Sequence, residues 1–459
     1  MIAAPARTVQ PDPTRPRRSA VARIPLIPAL TIIAILTPEA FGLMVGDFRM
    51  TPARMFFLAI APWMVVSFAT LLGSARYRFS FSDLFIPLAA FWTIFALSRT
   101  EGFEAALKSG GVTALEVLSP YLVMRAMLHN VQQVHRIIRF FCIALAITGP
   151  LAIADTIAQH PFISDTLGQL TGYHYFVGVG RDNADYFRLG LFRAQGIYEH
   201  PIFLGVVMTF GLMLSRDLTG AARTWVRIGC GFALLLPLSS APWQACLMGF
   251  GMMLFSRIFG FPHRWLLVVV GVSFGAIAVF MSFANPWGWI FNHLTLDAST
   301  GYYRLLIWQY AGASVMQSPI FGIGLIADWA RDDWMTASID THWLVLALHF
   351  GIPCAVMTAL GFIGACTVPV RQTIANSAQI GPREVKLAES LGIVIFLIIF
   401  QGFTTAYWGL TGMLIGLIAG WRACLGQLAT NAYAPRPVIA RANKVMRAQA
   451  ATRTGRIVI

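Results

Sequence analysis

The chain has 459 residues, 57% of them hydrophobic and only 12% charged, with a formal net charge of +14. So few charges cannot cover the surface of a water-soluble protein of this length, which excludes a large soluble domain. The positive charge does not mark a nucleic-acid binder either, because the basic residues cluster at the ends of long apolar blocks, where they hold topology and meet anionic head groups.

In chain order, residues 1–23 form a basic tail. Twelve apolar stretches follow, roughly 24–44, 55–73, 83–98, 109–128, 137–157, 200–216, 224–240, 242–258, 264–284, 342–369, 388–405 and 407–425, each near the roughly 20 residues that cross a bilayer core as a helix. Residues 426–459 form a second basic tail. With the N-terminus in the cytoplasm and alternating spans, 25 of the 34 Lys and Arg residues fall on the inner side. The inner loops are each basic, so both tails are placed inside. The predicted fold is an all-α, polytopic membrane helix bundle with a transmembrane domain over 24–425.

Two long loops, 158–199 and 285–341, lie on the outer, periplasmic side. Both mix aromatics, Gly, Pro and charges, which predicts ordered rather than low-complexity segments. The second contains a helix over 302–317, too short and polar to span, which ends at Pro319 and the glycines of Phe321-Gly322-Ile323-Gly324. Cys142, Cys230, Cys246, Cys354, Cys366 and Cys424 all fall in predicted spans and read as small apolar packing residues. His160, His174, His200 and His293 do not form a short-spaced ligand set, so neither a metal nor a cofactor is expected.

Three clusters carry the candidate chemistry. The first, Arg188-Leu-Gly-Leu-Phe-Arg193-Ala-Gln-Gly-Ile-Tyr-Glu199-His200-Pro201, sits where the first long loop re-enters the membrane. Two readings stand: an anion site suited to a lipid-linked phosphate, since arginine grips phosphate in a bidentate way, or a loop tied to head groups with His200-Pro201 starting span six. The second is Asp340-Thr341-His342-Trp343. Here His342 is a general base or a hydrogen-bonding group for an acceptor hydroxyl, or else an interfacial histidine beside a belt tryptophan. The third is Arg304 with Tyr302, Tyr303 and Trp308, which either holds phosphate beside sugar-stacking rings or pins a surface helix to the interface. Glu116, in span four, is the clearest intramembrane acid; it lines a wet cavity or is neutral.

Three segments, taken in order, resemble the O-antigen ligase and O-antigen polymerase superfamily: Phe192-Arg193-Ala-Gln-Gly-Ile-Tyr-Glu-His200-Pro201 with Gly205; Tyr303-Arg304-Leu-Leu-Ile-Trp308 followed by Ser318-Pro319-Ile-Phe-Gly322-Ile-Gly324; and Asp340-Thr-His342-Trp343-Leu344 followed by Gly351-Ile-Pro353. The turn Leu238-Ser239-Ser240-Ala241-Pro242 is similar to that family's Ser-rich turn. The resemblance covers about 190–365. It implies a metal-independent transfer of a glycan from undecaprenyl pyrophosphate to an acceptor sugar hydroxyl at the periplasmic face of the bacterial inner membrane. It implies that Arg193 and Arg304 hold the pyrophosphate, supported by Arg188, Glu199, His200 and Trp308. His342 would orient or deprotonate the acceptor, although Trp343 stands where many members carry Asn. Expected partners are the lipid-linked donor, an acceptor glycan or lipid-linked sugar, membrane lipids and other polysaccharide-assembly proteins. The alternative from a different class is a transporter or flippase of a lipid-linked glycan, which requires a continuous polar path through the bilayer.

Overall fold

A computed structural model describes residues 24–45, 48–172, 186–259, 271, 275, 298–370 and 381–433. The chain is mostly helical. Its principal helices are α1 (Leu26–Leu36), α2 (Pro52–Leu72), α3 (Ser82–Thr100), α4 (Gly111–Ala126), α5 (Val131–Leu151), α6 (Phe162–Thr171), α7 (Pro201–Leu214), α8 (Gly220–Leu235), α9 (Ser240–Phe259), α10 (Ala298–Gln317), α11 (His342–Phe350), α12 (Ile352–Gly364), α13 (Pro382–Gln401) and α14 (Gly409–Tyr433). Among the described residues, Pro52–Leu72, Val131–Ala158 and Gly409–Asn431 are long and apolar enough to cross a membrane. The tails and the predicted span over 264–284 lie largely outside the described residues.

The helices start where local chemistry allows. Thr51 caps α2 by accepting from the Arg54 amide (3.3 Å), with Pro52 at the first helical position. Asn130 does the same for α5 through the Gln133 amide at 2.9 Å. At the centre, all of α7 is buried, and α14 is buried throughout its spanning window. α5 and α13 each pack against both of them. The α14–α4 contact is close because Gly416 and Gly420 sit against the Val117 and Tyr121 carbonyls, where a Cβ would collide. Outer helices turn large apolar side chains outward: Trp63 on α2 is 64% exposed, Trp225 on α8 69% and Leu247 on α9 72%. Such a belt is stable only against an apolar phase or a partner.

Two expectations are corrected. The first predicted span, 24–44, is α-helical only over Leu26–Leu36, with a single 3-10 turn at Glu39–Phe41. Pro38 lacks an amide hydrogen and forces Thr37 into extended backbone (φ −75°, ψ 126°), so the helix stops there, well short of a roughly 30 Å crossing. The fold is also not purely helical. Leu43–Val45 pairs with Phe48–Met50, and Phe187–Arg188 with Leu191–Phe192, as two short antiparallel hairpins. The second turns through Leu189 (φ 53°) and Gly190 (φ 75°), a mirror-image turn matched to strand twist.

The predicted span 342–369 is broken in two at Gly351 (φ 86°). A Cβ there would strike the Ile320 carbonyl. The 319–323 loop packs into this break, with Ile352 N–H donating to the Pro319 carbonyl and Ile323 N–H to that of Leu348, each at 2.8 Å. The helix predicted over 302–317 is found as α10. Its buried stripe of Ile307, Ala311 and Val315 packs on Leu344 and Leu348 of α11.

Candidate active site

The ends of α1, α3, α5, α8 and α13 and the starts of α2, α4, α7, α11 and α14 meet at one end of the bundle. The candidate residues of all three sequence clusters lie there.

The Arg188–Pro201 loop is anchored by a buried acid. Asp155 accepts from the amides of Gln195 (3.1 Å), Gly196 (2.7 Å) and Ile163 (3.3 Å). Its two arginines hook onto neighbouring carbonyls of the turn after α8: Arg193 Nε donates to Pro237 (3.1 Å) and Arg188 Nη1 to Leu238 (3.2 Å). Arg193 is buried at 7% exposure. These two backbone carbonyls fix the position of both guanidiniums on the turn.

Arg304 comes from a different part of the chain to the same region. It is largely buried, Nε has no hydrogen-bond partner within the protein, and Arg188 and Asp340 lie within electrostatic reach. Burial, reinforced by Arg188, pulls its pKa below the usual guanidinium range, and Asp340 only partly offsets this. Four residues on, Trp308 stacks on Phe403 (6.2 Å between rings, 22°), which brings α10 against the α13–α14 connection.

His342 opens α11 beneath that connection. Its backbone N–H bonds the Gly402 carbonyl (2.8 Å), and its ring packs on Tyr407 at 5.0 Å. The Tyr407 amide donates to Nδ1 at 3.4 Å. With this amide as donor, Nδ1 is the accepting nitrogen, and a neutral ring then carries its proton on Nε2. His342 lines a cavity of about 290 Å³ between α3, α4, α11, α12 and α14, shared with Thr93, Glu116, His349, Phe362 and Tyr407. His349 is held by donation from Nδ1 to the Gly324 carbonyl at 2.6 Å.

Glu199 and His200 separate into different roles. His200 Nδ1 accepts from the Ile202 amide (3.1 Å), so the ring caps α7, as the simpler reading of His200-Pro201 has it. Glu199 reaches across to the start of α14, where Oε1 accepts from the Leu410 amide at 2.7 Å and buried Oε2 has no protein partner. Gly409 (φ 53°) lies between this carboxyl and that of Glu39; a Cβ there would strike both. Burial and the neighbouring Glu39 carboxylate push the Glu199 carboxyl well above the usual carboxylate range.

Sequence reasoning missed the partners of these acids. Glu116 is paired with Arg54, whose Nε (3.0 Å) and Nη2 (2.7 Å) both reach Oε1, while Arg54 Nη1 donates to the Arg49 carbonyl (2.8 Å). Arg49 in turn pairs with Glu39 at 3.2 Å. A usable signal was present: an intramembrane acid near the outer end of span four needs a cation at equal depth, and Arg54 opens span two. Gln401, Thr405 and Thr411 around the α13–α14 connection, each with a buried side-chain atom lacking a protein partner, carried no such signal.

No protein-family model matches the sequence, and no curated protein does. The site must therefore be judged by its own geometry. The chain of neighbours runs from Arg193 and Arg188, on adjacent carbonyls, to Arg304, then Asp340, then His342 two residues later. That arrangement places a group of partly to fully buried cations next in the chain of neighbours to His342, which shares its cavity with Glu116.

Proposed function

We propose that this chain is a multi-pass membrane glycosyltransferase, moving a glycan from undecaprenyl pyrophosphate to an acceptor sugar hydroxyl. The observation that carries the reading is Arg304: a buried guanidinium with an unpartnered Nε, beside Arg188 and at the same bundle end as His342. A largely buried cation that Asp340 only partly offsets is stabilised when a further anion joins it. A pyrophosphate leaving group is such an anion, and it needs charge neutralisation rather than protonation. Arg193 and Arg304 serve as the donor grip, with Arg188 behind them. Trp308 and Phe403 offer an aromatic platform for a sugar ring. His342 presents a ring N–H to the substrate.

In this reading the bundle crosses the bacterial inner membrane several times, both basic tails are cytoplasmic, and the site opens to the periplasm. The exposed apolar belt and the three long apolar helices support a membrane setting. Single-cysteine labelling at loop positions tests the orientation. The function is tested by the lipid-linked intermediates of a deletion strain. Accumulated single-repeat lipid identifies a polymerase; long undelivered chains identify a ligase; an unchanged pool removes the reading. The competing transporter class needs a polar path through the bundle, and it predicts that purified protein with donor and acceptor makes no new glycosidic bond.

A further inference from the structure

The geometry points to Glu116 as the general base of the transfer, with His342 acting beside it as a hydrogen-bond donor. The assignment rests on the glycosyl-transfer reading and goes beyond it by naming the group that takes the acceptor proton.

Three observations converge. First, the His342 ring is committed: the Tyr407 amide occupies Nδ1, which leaves Nε2 protonated and unable to accept the proton of a hydroxyl. Second, the same cavity contains a carboxylate with a free face. Both Arg54 hydrogen bonds fall on Oε1 of Glu116, so Oε2 is left without a protein partner on a side chain that is nine-tenths buried and lines the cavity. Third, the surroundings have room for one proton. The Glu39 carboxylate lies within electrostatic reach of Glu116, and the Glu199 carboxyl is close by on its other side. A proton arriving at Oε2 relieves repulsion instead of creating a buried positive charge.

The step balances without a co-reactant. The acceptor O–H bond breaks and its proton passes to Glu116 Oε2. The freed oxygen pair forms the new bond to the anomeric carbon. The bond from that carbon to the phosphate oxygen breaks, and the pyrophosphate leaves with the electron pair onto the arginine patch. His342 Nε2–H donates to an oxygen of the reacting pair and fixes its orientation. Arg54 is a positioning residue: its two hydrogen bonds hold Oε1 and leave Oε2 uncommitted.

The test restores variants to a strain lacking the chain, with the lipid-linked saccharide pool in that strain's own membranes as donor and acceptor. Glu116→Gln is expected to cut transfer by about 10²–10⁴-fold, at normal protein level and normal monodispersity in detergent. Arg54→Gln leaves the base in place and is expected to lose about tenfold or less. His342→Gln, which still offers an N–H, should retain more transfer than Glu116→Gln. Near wild-type transfer by Glu116→Gln overturns the assignment. So do equal losses in Glu116→Gln and Arg54→Gln, since a purely structural pair fails alike from either side. If Glu116→Gln does not accumulate, Glu116→Asp is read instead. Its carboxylate is withdrawn by one methylene, and a loss of about 10–100-fold is expected; full activity overturns the proposal. A wild-type chain that leaves the pool unconverted overturns the glycosyl-transfer reading, and this assignment with it.

Discussion

Helix α4 carries two buried ion pairs, one near each end, and they are built on opposite principles. Arg125 meets Asp83 through Nε on Oδ1 (2.8 Å) and Nη2 on Oδ2 (2.9 Å), with both side chains essentially inaccessible. Tyr121, Tyr77 and the Ser80 amide also donate to Asp83, and Gln427 and the Arg78 carbonyl take two more of the guanidinium hydrogens. Nothing there is left to bind. At the other end, Arg54 spends two bonds on one oxygen of Glu116 and leaves the second oxygen beside a cavity. A saturated pair fixes structure; a half-used pair holds a charge in reserve. The difference separates scaffold from chemistry within a single helix.

That contrast can be broken by substitution. The largest stability effect is expected from Asp83→Asn, which strands a fully buried Arg125 and should cost about 3–5 kcal/mol, seen as a collapse of the thermal unfolding transition in detergent. Glu116→Gln should cost only about 1–2 kcal/mol, since Arg54 keeps the Arg49 carbonyl and is partly exposed. If the two variants unfold alike, the distinction fails. Arg304→Gln should behave in the reverse sense. It removes a largely buried charge that Asp340 only partly offsets, so the protein should hold or gain stability while transfer falls by about 10²–10³-fold. A parallel loss of both would make Arg304 a structural residue. Gly409→Ala should destabilise by about 1–3 kcal/mol, because it forces a side chain into left-handed backbone between two carboxyls.

The smallest expected effect concerns pH. The Glu199 carboxyl titrates higher in the folded chain than in the unfolded one. The native state therefore binds this proton more tightly. Its contribution favours folding at acid pH and turns unfavourable as pH rises from the ordinary carboxylate range toward the raised value. Glu199→Gln, a permanent mimic of the protonated form, should flatten that slope in unfolding measured across pH while sparing the Leu410 contact.

Much of the scaffold was legible in the sequence, for stated reasons. Many apolar runs of helix length reappear as helices, but the run over 342–369 is parted at Gly351, where a Cβ cannot fit. Arg188, Arg193, Arg304 and His342 were singled out by residue type and position. What stayed hidden was pairing across distance. Arg54 and Glu116 are 62 positions apart, and only folding brings them to one depth. The proton on His342 depends on an amide 65 positions away. The first span was overestimated because Pro38 overrode an otherwise suitable apolar composition. His200 was ambiguous because capping a helix and binding an anion draw on the same residue types.

The carbonyl hook at Pro237 and Leu238 has a consequence for how such a protein can vary. Every residue type supplies a carbonyl, so side chains along this turn are free to drift without loosening the arginines that hang from it. Register is a different matter. Inserting or deleting a single residue between α8 and α9 would swing both acceptors away together, and two cations would be released at one stroke. Tolerance to exchange combined with intolerance to length change is the pattern that this anchor should leave in any population of related chains.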